Sequence, residues 1–159
     1  MLKTIILSVA AVMAFSQAVN PGVGLRLSAT PKRASVAVGE PLMLKVSTRN
    51  VSRRSLFITV TLAEVDHKFE VRDATGAAVP MTDYGRNLLR NAQETRSVMV
   101  KLRPGEEHEE TIQLEKLFQL NKPGTYQITV KRIVPRTQKG PSSNVEISAD
   151  TCTVVITEI

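Results

Sequence analysis

Tryptophan is absent from this 159-residue chain, and there are only two tyrosines, four phenylalanines and one cysteine. Each shortage excludes something. A single cysteine, Cys152, permits no internal disulfide framework, so a hydrophobic core has to hold the fold. Cys152 lies between Thr151 and Thr153 in a β-branched run with no local cation or histidine, which reads as a small buried hydrophobe and not a reactive thiol. An aromatic content of 4% disfavours a nucleic-acid reader built on base stacking. The net charge is +6, one less once Lys3 is removed by the cleavage described below. No run of five or more basic residues exists, so the charge does not form a polybasic tract. Gly-x-Ser-x-Gly, His-Glu-x-x-His, Cys-x-x-Cys and Gly-rich phosphate loops are all missing. No catalytic residue, cofactor, resident metal or enzymatic activity is therefore expected.

Long apolar runs are also lacking, except for one at the start. Lys3 precedes the uncharged stretch Thr4–Phe15, and Ser16-Gln17-Ala18 follows it. A basic n-region, a short h-region and a small-x-small site together predict a secretory signal peptide over residues 1–18, cleaved before Val19. The run is too short to span a bilayer comfortably, and no second apolar segment of about 20 residues follows, so no membrane span is expected. The protein is expected to be exported, to the periplasm or beyond. Residues 19–159 are then one domain, long enough to bury a sizeable core. Neither the final compartment nor the oligomeric state is fixed by these features.

Beyond residue 20 the dominant period is two. Leu42, Leu44 and Val46 alternate with Met43, Lys45 and Ser47, and similar alternation runs through Leu56–Leu62, Val98–Leu102 and Tyr126–Lys131. Such runs mark half-buried antiparallel strands, and their Val, Ile and Thr suit a pleated surface. Strands are predicted at 24–30, 35–38, 42–50, 55–65, 68–73, 96–102, 107–114, 124–134 and 144–157. Gly39-Glu40-Pro41, Pro104-Gly105 and Pro123-Gly124 supply turns, the Pro-Gly pairs as type II turns with positive φ at glycine. The last strand changes parity between Val145/Ile147/Ala149 and Cys152/Val154/Ile156, which calls for a bulge or a sheet switch near Asp150. Residues 114–118 read as one helical turn. This punctuation predicts an all-β sandwich or barrel. The expected core is Leu44, Val46, Ile58, Val60, Val100, Ile112, Tyr126, Ile128 and Val154.

One stretch breaks the alternation. Asp73–Thr95 is longer than ordinary connections, and such segments are often functional or disordered. Its Tyr84, Arg86, Leu88, Leu89 and Arg90 are the candidate partner-binding residues. Asp66 and His67 are neighbours that point to opposite faces, so they form no dyad and read as a solvated strand end. In Glu106-Glu107-His108-Glu109-Glu110, alternate residues share a face. The acids flanking His108 have the chemistry to hold a divalent metal, but a solvated strand start or a guarded sheet edge explains them equally well. Arg53-Arg54, Arg86 with Arg90, and Lys131-Arg132 with Arg136 and Lys139 read as solvated surface, or as a patch converging on an anionic partner. Asn50-Val51-Ser52 matches a glycosylation sequon that matters only in a eukaryotic secretory pathway. An exposed edge strand would also offer pairing to another chain, but the sequence does not rank the edges.

Two resemblances rest on specific residues. Val38-Gly39-Glu40-Pro41-Leu42-Met43-Leu44-Lys45-Val46 with Arg49-Asn50-Val51-Ser52, and Leu102-Arg103-Pro104-Gly105-Glu106 leading to Pro123-Gly124-Thr125-Tyr126, resemble bacterial immunoglobulin-like domains. That resemblance implies an immunoglobulin-like antiparallel β-sandwich of seven to nine strands, with Tyr126 as the corner tyrosine whose hydroxyl bonds upstream backbone. More narrowly, Phe69-Glu70-Val71-Arg72-Asp73-Ala74-Thr75-Gly76, a long loop and the same Pro-Gly elements are similar to the bacterial intracellular proteinase inhibitor (BsuPI) family. This second likeness implies serine-protease inhibition through residues 73–95. The functional expectation is an exported, non-catalytic binding module with a protein partner, the alternative being that inhibitor.

Overall fold

A computed structural model describes residues 23–135 and 144–159; the expected signal peptide, Arg136 and Lys139 lie outside the described residues. Ten short strands follow in chain order: β1 Leu25–Pro31, β2 Ser35–Ala37, β3 Met43–Asn50, β4 Leu56–Val60, β5 His67–Arg72, β6 Val98–Leu102, β7 Glu107–Gln113, β8 Gly124–Pro135, β9 Asn144–Ser148 and β10 Cys152–Thr157. Three short helices interrupt them: α1 Ala63–Asp66, α2 Asp83–Arg90 and α3 Leu114–Leu117.

Alternation dictates the layers. One sheet has the order β1-β3-β7, and the other the order β2-β10-β8-β5, with β9 also pairing β8. β1, β3 and β7 take the places of strands A, B and E, and β5, β8 and β10 those of C, F and G, so the chain is an immunoglobulin-like β-sandwich. All pairings are antiparallel except β2 with β10, which is parallel. β4 and β6 form a separate two-stranded ribbon. Inward-facing Leu25, Leu27, Leu44, Val46 and Ile112 of the first sheet meet Val71, Tyr126, Ile128, Val130 and Val154 of the second in one apolar cluster. Burial of this apolar area is the main favourable term holding the two layers together.

Seven of the nine residues expected in the core are buried there; Val60 and Val100 are only half-buried, because they share the inward face of the ribbon with buried Ile58 and Leu102 but lie toward its other end, where Val98 is exposed. The final expected strand is two. β9 and β10 pair the same neighbour, but Lys131 faces Ser148 while Ile128 faces Cys152, so residues 149–151 lie against residues 129–130. This one-residue bulge keeps Ile147, Ala149, Val154 and Ile156 all on the buried side. Cys152 is half-buried, and burial pushes its thiol above the ordinary value.

Two sequence expectations need correction, and the sequon can be placed. The strand expected over 55–65 stops at Val60, because the Asp66 carboxylate accepts the Thr61 N–H (2.7 Å) and α1 turns the chain. The turn at Pro104-Gly105 forms as expected, with Gly105 at φ +84° and Glu106 N–H donating to Arg103 O (3.0 Å), whereas Gly124 has φ +152° and opens β8 instead of closing a type II turn. The sequon asparagine is sealed inside: Asn50 is fully buried, its Nδ2 donates to Arg54 O and Leu102 O, and its Oδ1 accepts from Ser52 N–H and Oγ. Those bonds join the end of β3 to the β4 turn and to β6, and they leave the amide no room for a sugar in the folded state.

Tyr126 lies inward on β8, and its hydroxyl donates to Lys122 O at 2.9 Å. The bond ties the approach to β8 back onto its first residues. Tyr126→Phe removes this one bond and leaves the ring, so it is expected to cost about 1 kcal/mol. The check is the urea midpoint at unchanged m; an unmoved midpoint would show that the corner contributes nothing.

Candidate functional site

The Asp73–Thr95 segment is organised, and its order starts at a tight turn. Asp73 Oδ1 accepts from the N–H groups of Thr75 and Ala77 and from Thr75 Oγ1, and Gly76 takes φ +83°. The chain then runs back along β5, with Val79 N–H bonded to Val71 O. Met81 bridges Phe118, and Thr82 N–H donates to Leu117 O (2.9 Å) while its hydroxyl donates to Lys116 O. The same Thr82 caps α2, accepting Gly85 N–H at 3.0 Å. Gly85 faces α3 so closely that an added Cβ would lie 2.7 Å from Leu117 O. The absence of that carbon lets the helix sit down on the domain.

This placement sorts the five candidate residues. Leu88 turns inward and packs against the core. The Arg86 guanidinium is engaged by the Asp83 carboxylate and the Met81 carbonyl. Arg90 is exposed in the last turn, where a cation suits the helix dipole. Tyr84 (53% exposed) and Leu89 (45% exposed) are left as the apolar groups offered to solvent. The five therefore share one short helix but do not form one surface.

A second cluster lies where sequence reasoning placed only solvated charge. Arg132 is on the inward face of β8 and is 3% exposed. Its Nη1 donates to Thr48 Oγ1 on β3 (3.1 Å), His67 Nε2 on β5 (3.3 Å) and Glu110 Oε2 on β7 (3.4 Å). Its Nη2 donates to Thr59 O on β4 (2.6 Å) and lies 3.8 Å from Asp66 Oδ2. Asp66 and His67, expected at a solvated strand end, are both drawn into this buried network. So is the Lys131-Arg132 pair in part: Lys131 stays outside with Glu70 and Glu146, while Arg132 points in. Parity was the available signal. Arg132 shares its face with Tyr126, Ile128 and Val130, His67 with Val71, and His108 and Glu110 with Ile112.

Hydrogen bonding fixes the state of the His67 ring. Nδ1 is 2.8 Å from Ala63 O, which only accepts, so Nδ1 carries the proton and Nε2 presents a lone pair to Arg132. Burial, helped by the nearby Arg132 charge and opposed by the Ala63 carbonyl, pushes the ring down to about 4. At neutral pH the 3.8 Å approach of Nε2 to Glu110 is thus not an ion pair. Burial also pushes the Glu110 carboxyl above its ordinary value, against the pull of Arg132 and His108. The acids around His108 do not assemble a metal centre: Glu106 turns to accept Arg103 N–H, Glu109 pairs with Lys45, and Arg132 fills the space beside Glu110. Among the described residues no group of three or more His, Cys, Asp or Glu is arranged to hold a metal ion. No helix among them is long and apolar enough to cross a membrane.

No protein-family model matches this chain, and no curated protein matches it. Solved structures do. It is similar to a β-glucosidase from Erythrobacter marinus (TM-score 0.42, 18% identity, covering 84% of this chain and 15% of that one). It is also similar to a mutant β-glucosidase from Listeria innocua (0.43, 16% identity, 84% and 16%). A third is the CARDB domain of a Pyrococcus furiosus protein, in complex with di-metal ions (0.42, 15% identity, 85% and 94%). The chain thus spans about a sixth of the β-glucosidases it matches. At these scores and identities the likenesses carry nothing about activity.

Two outcomes are expected from this geometry. Gly85→Ala forces a Cβ onto the Leu117 carbonyl and should destabilise the domain by about 1–3 kcal/mol, read by urea denaturation. The second concerns pH. The folded state keeps the His67 ring neutral down to about 4, whereas an unfolded chain protonates it near 6.5. The unfolded state therefore binds more protons between those values. This stabilisation, about 3 kcal/mol, is complete above pH 6.5 and is lost as pH falls toward 4. Glu110 acts in the opposite sense: its contribution is present at acid pH and is lost as pH rises through its raised value. The unfolding free energy should fall across this acid window, and His67→Gln should flatten the fall. An equal slope in wild type and variant would show that His67 is not its source.

Proposed function

We propose that residues 19–159 act as an exported, non-catalytic interaction module whose partner is a protein. The observation that carries this reading is where the domain exposes apolar surface. Of the ten exposed large apolar side chains among the described residues, six lie on α2 or on and beside the β4–β6 ribbon: Tyr84, Leu89, Phe57, Leu62, Val98 and Met99. Exposed apolar side chains grouped on a helix and on a strand ribbon are the surface a partner would contact, whereas singly scattered ones need no explanation. The basic n-region and apolar run over residues 1–18 support export.

The inhibitor alternative rests on residues 73–95 offering an extended segment to a protease cleft. Asp83–Arg90 is helical and is fastened to α3 through Thr82 and Gly85, which leaves little of the segment extended. The interaction reading is preferred for that reason.

The test is a cross-linking pull-down from the exported fraction with residues 19–159 as bait. The control is a Tyr84→Ser/Leu89→Ser double variant, which leaves the packed Gly85 and Leu88 untouched. A partner recovered by the natural domain and depleted at least about tenfold by the variant is expected. If neither bait recovers a protein, the interaction reading fails.

A further inference from the structure

The open edges of this sandwich are not equally guarded. β5 carries Lys68, Glu70 and Arg72 on its outer face, and β7 carries Glu107 and Glu109 on its own. β2 has three residues, and the open side of β1 faces a groove shared with Asp150, Thr151 and Thr153. Charged, short or covered edges are how folded proteins avoid pairing with other chains. The β4–β6 ribbon leaves one edge of each strand unpaired, and β6, despite its one cation Lys101, stands out for the apolar side chains it exposes. It is hydrogen-bonded to β4 along one side only, and no other strand pairs it among the described residues. Met99 is 71% exposed, the highest value for a large apolar side chain within a described strand, and Val98 beside it is 60% exposed.

Two-stranded ribbons are marginal by themselves and gain most from a third strand. What that strand should look like follows from the charges. Lys101 shares the outer face of β6 with Met99; Arg96 precedes the strand, and Arg53 and Arg54 precede β4 at the other end of the ribbon. None of these four cations makes an ion pair among the described residues; Arg103 alone in this region does, with Glu106. An apolar strand edge surrounded by unpaired cations is complementary to an extended segment that alternates apolar and acidic residues.

We propose that the open edge of β6, residues 97–102, is a strand-addition site that takes an acidic, apolar-alternating peptide from a protein partner. Backbone pairing supplies the register. The acidic face of the added strand sets against Lys101, beside Met99, and its apolar face covers Val98 on the opposite side. This rests on the interaction-module reading and names the chemistry of the partner. Lys and Arg on an edge ordinarily repel other copies of the same chain; here they leave acidic strands as the admitted class.

The probe is a capped synthetic peptide of alternating Val and Glu, titrated into residues 19–159 and followed by amide chemical shifts and hydrogen exchange. Its counterpart with Lys in place of Glu is the control. The expected result is saturable shifts and slowed exchange confined to residues 97–102 and their β4 partners. Binding should weaken with salt, fall about threefold to tenfold in Lys101→Glu, and be absent with the Lys peptide. Lys101 is solvent-exposed, so this variant keeps the fold, and unchanged amide shifts in the core confirm it. Equal binding of both peptides, or shifts located elsewhere, overturns the proposal. So does concentration-dependent self-association through β6, or binding to anionic vesicles with no response to the peptide. If the peptide fails while the Tyr84/Leu89 pull-down succeeds, only the edge is wrong; if both fail, the interaction reading falls with it.

Discussion

Arg132 is the constraint to which the rest of the sandwich conforms. A guanidinium has five N–H donors at fixed angles, so it can be satisfied only when its acceptors come to fixed places. Here the acceptors come from β3, β4, β5 and β7, with the Asp66 carboxylate at the end of α1 nearby. A leucine at the same point would tolerate small slips between the layers; the guanidinium does not. Buried charges are weak evidence for stability, because desolvation offsets much of the attraction. The same arithmetic makes the loss of one partner expensive, since the remaining charge is left uncompensated. The cluster thus fixes one mutual placement of the two sheets and the ribbon, while apolar burial supplies most of the driving force.

The ionic cluster also explains which parts of the fold are legible in the sequence. Strand positions are, because Leu44/Val46, Ile128/Val130 and Val154/Ile156 alternate cleanly against polar neighbours, and a half-buried strand leaves that trace. The parity change near Asp150 is legible too, and it resolves as a bulge because β9 and β10 share β8 as a partner. The interior of Arg132, His67 and Glu110 is harder to see. Residue type says surface, while parity says core. Charged groups are almost never fully buried unless paired, so type is the natural guide. Pairing overrides it here, and the pairs lie 22 to 84 residues apart in the chain. No local pattern announces a partner at that separation.

The helix in residues 73–95 is illegible for a different reason. Eight residues are too few for a periodic apolar stripe, and Gly85 in the middle lowers helix propensity. Thr82 followed by Asp83, with Arg90 in the last turn, is the capping signal that does survive in the sequence. Tertiary contact explains the rest. Gly85 is unfavourable for an isolated helix, yet it is the residue that lets this helix approach Leu117 O. A penalty in local propensity is offset by packing that only the folded chain can make.

The exposed apolar groups of α2 and β6 thereby project from ordered, hydrogen-bonded backbone. α2 is held by Thr82, Gly85 and Leu88, so Tyr84 and Leu89 project from a fixed helix. β6 is held by its full register with β4, and Asn50 secures the Leu102 end of that ribbon. Presenting apolar groups from ordered backbone lowers the conformational entropy lost when a partner binds. It also limits the danger of exposing them, because an ordered edge favours strands that match its register and charge. Exposed Val98 and Met99 would be a liability on a neutral, flexible edge. Beside Lys101, Arg96, Arg53 and Arg54 they become selective: a second copy of the same strand brings more positive charge, whereas an acidic segment brings the opposite sign. Apolar exposure gives this edge its attraction, and the unpaired cations decide what it attracts.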